Sequence, residues 1–159
     1  MTIDKFIKDF LEINDKEKYI NGHIKRQYIP YEEKIAICDK VIKNSCYKEI
    51  NGNLKYYQNT PIQNQLFALA LIQNYTDLEM GNDSVEILKN YNLLEEKKLI
   101  GVIFNAIPEY NEMSILLEMM NDDEYENNKS LVSFLDNKID ALNILLKQLE
   151  TQISERETE

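Results

Sequence analysis

The residue types that most often carry out catalysis are sparse in this chain. His23 is the single histidine, and its neighbours form no recognised motif with a serine or a cysteine. Cys38 and Cys46 lie eight residues apart, a spacing that matches no zinc pattern, so we interpret both as reduced thiols. We therefore predict no catalytic residues. His23 is interpreted as a packing or surface residue, and an enzyme that uses His23 is the enzymatic alternative.

Metal and cofactor chemistry also lacks a pattern in the sequence. The acidic run Asp122-Asp123-Glu124 with Glu126 does not have the spaced oxygen ligands or the glycine turn of a calcium loop, and we interpret it as a solvated helix end. The chain has four glycines, none in a phosphate-binding loop. We predict no metal site, no cofactor and no enzymatic activity.

Charge is unevenly distributed along the chain. The formal net charge is −10. Residues 1–60 carry 11 Lys/Arg and 9 Asp/Glu, whereas residues 61–159 carry 7 Lys/Arg and 19 Asp/Glu. A net acidic surface repels phosphate backbones, which argues against direct nucleic-acid binding. The acidic part is either a solubilising surface or a means of orienting subunits or docking on a basic partner.

Length and composition favour one soluble domain. The chain has 159 residues, of which 43% are hydrophobic and 29% charged, enough for a core. No apolar run approaches the roughly 20 residues that span a bilayer, and the first residues lack the order of a secretory signal. Two cysteines cannot form the disulfide framework of a secreted domain. We expect an intracellular protein with no membrane partner.

Apolar periodicity predicts an all-α fold: a single-domain helical bundle of about seven helices, residues 1–153, followed by an acidic flexible tail, residues 154–159. The most apolar segment, 61–79, is expected at the centre of the bundle. The predicted helical segments are 2–13, 16–28, 30–45, 61–79, 84–92, 93–104, 108–120 and 131–153.

One small β-hairpin is predicted over residues 46–58. Asn51-Gly52 accepts the positive φ of a tight turn between two short arms that contain three tyrosines. Tyrosine is enriched in interface cores, so we predict Tyr47, Tyr56 and Tyr57 as interface residues. The hairpin either packs on its own domain or reaches a neighbouring subunit.

The last predicted helix carries a coiled-coil-like seam. Its apolar residues alternate spacings of three and four over three heptads. We predict the distal part, Leu146, Leu149 and Ile153, as the second interface site. The helix either packs along its own bundle or pairs with another chain. The seam consists of Val132, Leu135, Ile139, Leu142, Leu146, Leu149 and Ile153.

Three stretches carry a resemblance to a protein family. They are residues 28–38, residues 61–79, and residues 117–123 followed by 133–135. In overall pattern they resemble short proteins of tailed bacteriophages and prophages of low-GC Gram-positive bacteria. The resemblance implies a viral origin and a non-enzymatic role, and it transfers no functional residue.

These expectations combine into one predicted function and one alternative. The predicted function is protein–protein contact in virion assembly, as a head, neck or tail component or an assembly chaperone. The expected partners are phage structural proteins or further copies of the chain, located in the host cytoplasm or the virion. The alternative is an acidic inhibitor that occupies the phosphate groove of a host defence enzyme.

Overall fold

The computed structural model describes the backbone of residues 1–50 and 53–156, and most side chains as far as residue 142. Within these residues the chain forms seven α-helices and one two-stranded antiparallel hairpin, which confirms the predicted all-α fold with a single small hairpin. The elements are α1 Ile3–Glu12, α2 Lys16–Gly22, α3 Tyr31–Ser45, β1 Tyr47–Ile50, β2 Asn53–Tyr56, α4 Thr60–Tyr75, α5 Ser84–Glu96, α6 Leu99–Ala106 and α7 Tyr110–Arg156.

Short polar side chains begin three of these helices. Asp15 accepts a hydrogen bond from the backbone N–H of Lys18 at the start of α2. Asn59 caps α4, and Asp83 caps α5 by accepting from two backbone N–H groups at 2.9 Å each. Each cap satisfies backbone donors that the first helical turn leaves without an intrahelical partner. Thr60 and Ser84, which could also act as caps, are the first residues of α4 and α5.

Helix α4 ends four residues earlier than predicted because the chain becomes extended at Thr76. The Thr76 hydroxyl donates to the carbonyl of Ile72 at 2.6 Å, and the residues that follow run between two other segments. The backbone N–H of Asp77 donates to the carbonyl of His23, and that of Glu79 donates to the carbonyl of Met1. The extended segment therefore joins the N-terminus to the end of α2.

The boundaries of two other helices also differ from the prediction. Helix α2 ends at Gly22 rather than at residue 28. Helix α5 continues to Glu96, beyond the predicted end at residue 92, and Lys98 then adopts a left-handed conformation with φ 57°. That conformation breaks the helical path, so α6 starts as a separate helix at Leu99.

The predicted break near residues 121–130 is wrong, because α7 runs without interruption from Tyr110 to Arg156. The acidic run Asp122-Asp123-Glu124 lies inside this helix and is not a helix end. Neither glycine nor proline occurs after Pro108, so nothing in this part of the sequence forces the helix to stop.

The chain divides into two compact units, residues 1–120 and the residues from 121 onward. The first unit holds the buried core, which is built from apolar side chains of α1 to α6 and from Met113, Leu116 and Leu117 of α7. The prediction of a single domain ending at residue 153 stays a prediction. Residues 154–156 of the predicted tail belong to α7, and residues 157–159 lie outside the described part.

Candidate interaction surfaces

Helix α7 carries a row of apolar side chains that remain about half exposed. Leu135, Ile139 and Leu142 are 49%, 55% and 59% exposed, and their spacings of four and three residues place them on one side of the helix. Leu131, one turn earlier, is also exposed. We call Leu131, Leu135, Ile139 and Leu142 the α7 stripe. Soluble monomers rarely expose large contiguous apolar patches, so the stripe is the strongest candidate binding surface on the described helices.

The predicted interface positions Leu146, Leu149 and Ile153 belong to the same helix. Their side chains lie outside the described residues, so their place in an interface stays a prediction. Along the backbone they follow Leu142 at spacings of four, three and four, which continues the seven-residue register of the α7 stripe.

Phe134 is an exposed apolar residue of α7 that lies off the stripe. It is 56% exposed, but it lies about 100° around the helix from Leu135. The Lys138 ammonium stands 5.4 Å from the centre of the Phe134 ring, a cation–π contact that covers part of the ring. Phe134 is therefore a matched comparison residue for the stripe, with similar exposure on a different side of the helix.

The three predicted hairpin tyrosines occupy two different environments. Tyr47 and Tyr56 are cross-strand partners, their ring centres are 5.6 Å apart in an edge-to-face arrangement, and both pack against the core of the first unit. The side chain of Tyr57 is exposed, while its backbone N–H donates to the carbonyl of Cys46. Tyr57 is thus the most accessible of the three, and their interface role stays a prediction.

A groove of about 660 Å³ lies between α3, α4 and α5 in the first unit. It explains why α4 is apolar on more than one side: Leu66, Leu69 and Ala70 line this groove, whereas Phe67 and Leu71 enter the core. Helix α4 therefore buries one side in the core and lines the groove with another. A concave apolar surface with a polar rim has the general character of a ligand site. The rim includes Lys40, Asn44, Gln65, Gln73 and Asn74.

A buried ionic cluster connects the start of α7 to α3 and α4. The Lys34 side chain is 2% exposed, and its ammonium lies 2.6 Å from Oε1 of Glu109 and 2.8 Å from Oε1 of Glu112. The other oxygen of Glu109, Oε2, accepts from the backbone N–H of Ile29 at 2.7 Å and from the hydroxyl of Tyr75 at 2.9 Å. Glu109 therefore connects its own segment to two others that are distant in the sequence, residues 29–34 and the end of α4.

The electrostatics of this cluster keep both partners charged. Burial by itself would raise the pKa of Glu109, but the hydrogen bonds from Lys34, Ile29 and Tyr75 outweigh burial and lower that pKa. Burial would lower the pKa of Lys34, but its contacts with Glu109 and Glu112 raise it. The pKa of Tyr75 is raised mainly by burial and also by its hydrogen bond to Glu109. These groups remain in their stable charge states near neutral pH, which suits a structural role.

His23 has an acidic partner but no nucleophile beside it in the described part of the chain. Nδ1 of its ring lies 2.9 Å from Oδ1 of Asp77. The ring packs edge-on against Tyr19 and Phe6, with centres 4.6 Å and 5.4 Å away. No hydrogen bond of the described residues joins this ring to a hydroxyl or a thiol. The geometry fits the packing role that the sequence predicts.

The two cysteines are separate buried thiols. Burial raises the pKa of Cys38 to about 11, which makes its thiolate rare at neutral pH. Among the side chains that the structure describes, no group of three or more His, Cys, Asp or Glu residues could hold a metal ion. The helices described are all too short or too polar to cross a bilayer.

No protein-family model matches the chain, and neither characterised proteins nor solved structures include a significant match to it. Any assignment of function must therefore come from the residues themselves. The residue pattern indicated the spacing of Leu135, Ile139 and Leu142, which belong to the predicted seam, but it left open whether they pack on the same chain. It did not indicate the groove or the Lys34–Glu109 cluster, which depend on segments brought together only by folding.

Proposed function

We propose that the protein is a non-enzymatic binding protein that contacts another protein chain through the α7 stripe. The observation that carries this proposal is the half-exposed state of Leu135, Ile139 and Leu142 on successive turns of one helix. Burying the exposed half of such a side chain stabilises a complex by about 1 kcal/mol. A partner helix or an apolar groove is the surface that accepts a stripe at this spacing.

The composition of α7 supports an interface in which the centre is apolar and the edges are polar. Residues 110–156 contain ten Asp/Glu and four Lys/Arg, and these charges keep the rest of the helix hydrated. Interfaces combine an apolar centre with a polar rim in the same way. Virion assembly is the specific process that the resemblance to phage proteins implies, and we include it as the finer part of the proposal. The inhibitor alternative rests on the acidic charge alone.

The proposal is tested with two matched substitutions, Leu142→Asp and Phe134→Asp. Wild-type and variant proteins, each carrying the same affinity tag, are crosslinked in the cells that naturally make the protein, and the crosslinked peptides are identified by mass spectrometry. We expect a stoichiometric protein contact that maps to residues 131–142, persists in Phe134→Asp and disappears in Leu142→Asp.

Two results would contradict parts of this proposal. Identical crosslinks in all three proteins would exclude the α7 stripe as the binding surface. The absence of the chain from purified virions, together with no contact to virion proteins during assembly, would exclude the assembly role and leave the binding surface to be explained by another partner.

A further inference from the structure

We propose that the chain which covers the α7 stripe is a second copy of this protein, paired with the first in parallel and in register as a two-stranded coiled coil. This inference rests on the proposed function, since it names the partner of the same surface. The paired region is residues 132–153, which we call the seam region. In heptad notation, residues 132, 139, 146 and 153 occupy position a, and residues 135, 142 and 149 occupy position d.

The residue types at these positions favour two parallel strands. Three of the four a positions hold β-branched residues, Val132, Ile139 and Ile153, and all three d positions hold leucine. β-branched residues at a combined with leucine at d favour parallel dimers, because side-chain packing differs between the two layers. Isoleucine at d would favour three or four strands, and the seam region contains none there.

The size of the seam region matches what a stable dimer needs. A helix of this length extends about 33 Å, and its three heptads are in the range at which a sustained a/d repeat indicates a coiled coil. The described a and d residues, Leu135, Ile139 and Leu142, each retain about half of their surface for a partner. A second copy presents the identical stripe, so every exposed layer meets an equivalent apolar layer.

Two charged residues lie one heptad before the seam region and would pair across a parallel dimer that continues over that heptad. Glu124 occupies position g and Lys129 the following position e. In a parallel dimer, position g of one copy faces position e of the next heptad in its partner. Glu124 of each copy therefore faces Lys129 of the other, which gives two equivalent opposite-charge pairs. In an antiparallel dimer that places residue 132 opposite residue 149, Lys129 would instead lie near Glu150 of the other copy, so the two arrangements give Lys129 different acidic neighbours.

Several apolar residues lie off the seam, namely Leu131, Phe134, Ile144 and Leu145. Phe134 occupies position c, which a two-stranded coiled coil leaves exposed to water. Its ring already contacts Lys138 within the same helix. An assembly of two strands thus leaves Phe134 uncovered, whereas nonspecific apolar association would involve Phe134 as much as Leu142.

The first experiment measures the oligomeric state of the full chain by sedimentation equilibrium. We expect a dimer at micromolar concentration for the wild type and for Phe134→Asp. Leu142→Asp introduces a carboxylate into an apolar layer, and we expect it to weaken association at least a hundredfold. Circular dichroism of each variant checks that the first unit remains helical. A wild-type monomer or trimer would overturn the inference, as would equal weakening by Leu142→Asp and Phe134→Asp.

The second experiment tests orientation by reversing charges. Lys129→Glu replaces two attractive pairs by two repulsive ones, and we expect about tenfold weaker association at low ionic strength. The combination Glu124→Lys with Lys129→Glu restores both pairs in a parallel dimer and should recover affinity near that of the wild type. Failure of the double variant to recover would contradict the parallel arrangement.

Different results would contradict the proposed function and the dimer inference. If the purified chain is a monomer but the crosslinked contact in cells still depends on Leu142, the partner is a different protein and the proposed function stands. If association and cellular contacts are both insensitive to Leu142→Asp, the α7 stripe is not a binding surface, and both proposals are wrong.

Discussion

Replacing Lys34 by methionine should destabilise the first unit strongly, because it leaves the Glu109 carboxylate buried without its cation. The two groups are 2.6 Å apart, with side chains 2% and 11% exposed. Removing one partner of such a pair costs about 3–5 kcal/mol, which is a large part of the 5–15 kcal/mol of a typical domain. We expect urea unfolding at neutral pH, followed by circular dichroism, to show this loss and a melting temperature lower by about 10 °C.

Lys43→Met on the same helix is the matched control. Lys43 pairs with Asp39 at 2.7 Å, but both side chains are well exposed, so its replacement should change stability by less than about 1 kcal/mol. Glu109→Gln tests the other partner, and its effect should combine with Lys34→Met less than additively, since both substitutions disrupt the same contact. Equal stability of Lys34→Met and Lys43→Met would refute the reasoning.

The pH dependence follows from the direction of the pKa of Glu109. Because this pKa is lowered in the folded protein, the stabilisation is complete above the ordinary value near 4.5 and is lost as the pH falls through the lowered value. In Lys34→Met, loss of the ammonium raises the pKa of this carboxyl relative to the wild type, so the carboxyl of the variant becomes protonated at a higher pH than that of the wild type. The difference between wild type and variant should therefore shrink as the pH falls from neutral to about 4.

Three further predictions concern Gly81 (with Gly22 as its control), the Asp83 cap of α5, and the buried thiol of Cys38. Gly81 has φ 116°, and an added Cβ would lie 2.6 Å from Cγ of Glu86. Gly81→Ala should therefore lower the free energy of unfolding by about 2 kcal/mol, as measured by thermal unfolding. In the control Gly22→Ala the added Cβ meets nothing within 4 Å at a helical position, and this variant should stabilise the protein by a few tenths to 1 kcal/mol. Asp83→Ala removes the cap of α5 and should cost about 1 kcal/mol by urea unfolding, with Asp83→Ser close to wild type. Cys38 has a pKa raised to about 11. Its thiol should resist alkylation in the folded protein at mildly alkaline pH and should react once urea unfolds the chain. Rapid alkylation of the folded protein at Cys38 would contradict the burial of this thiol.

Local sequence signals predicted the elements of the fold better than their ends. The hairpin arms followed from the tyrosine-rich segments around residues 51 and 52, and the structure confirms their pairing. The end of α4 was missed because the Thr76 hydroxyl competes with the backbone for the carbonyl of Ile72. The continuity of α7 was missed because Asp122-Asp123-Glu124 resembles a polar loop in composition, although the sequence there contains no residue that interrupts a helix.

The parts of the molecule that could not be predicted depend on long-range contacts. Lys34 and Glu109 are 75 residues apart, and neither lies in a local pattern that identifies the other. The groove depends on the packing of three helices. The sequence gives one hint of it, because residues 66–72 contain more apolar side chains than a single buried face of α4 can hold. Periodicity, by contrast, placed Leu135, Ile139 and Leu142 on one side of a helix, because spacing along the chain defines a helix face; their exposure became known only from the structure.

The buried charged residues and the exposed apolar residues of this protein have different roles. The buried charges of the first unit, Lys34 and Glu109, satisfy one another and join α3 to the residue that precedes α7. The apolar residues of the α7 stripe have no such role inside the described fold. Helix propensity does not single them out either, because leucine is no better a helix former than lysine or glutamate, and isoleucine is a poorer one. The proposed burial against another chain would explain their presence at a spacing of three and four, and the dependence of cellular contacts on Leu142 is the measurement that tests it.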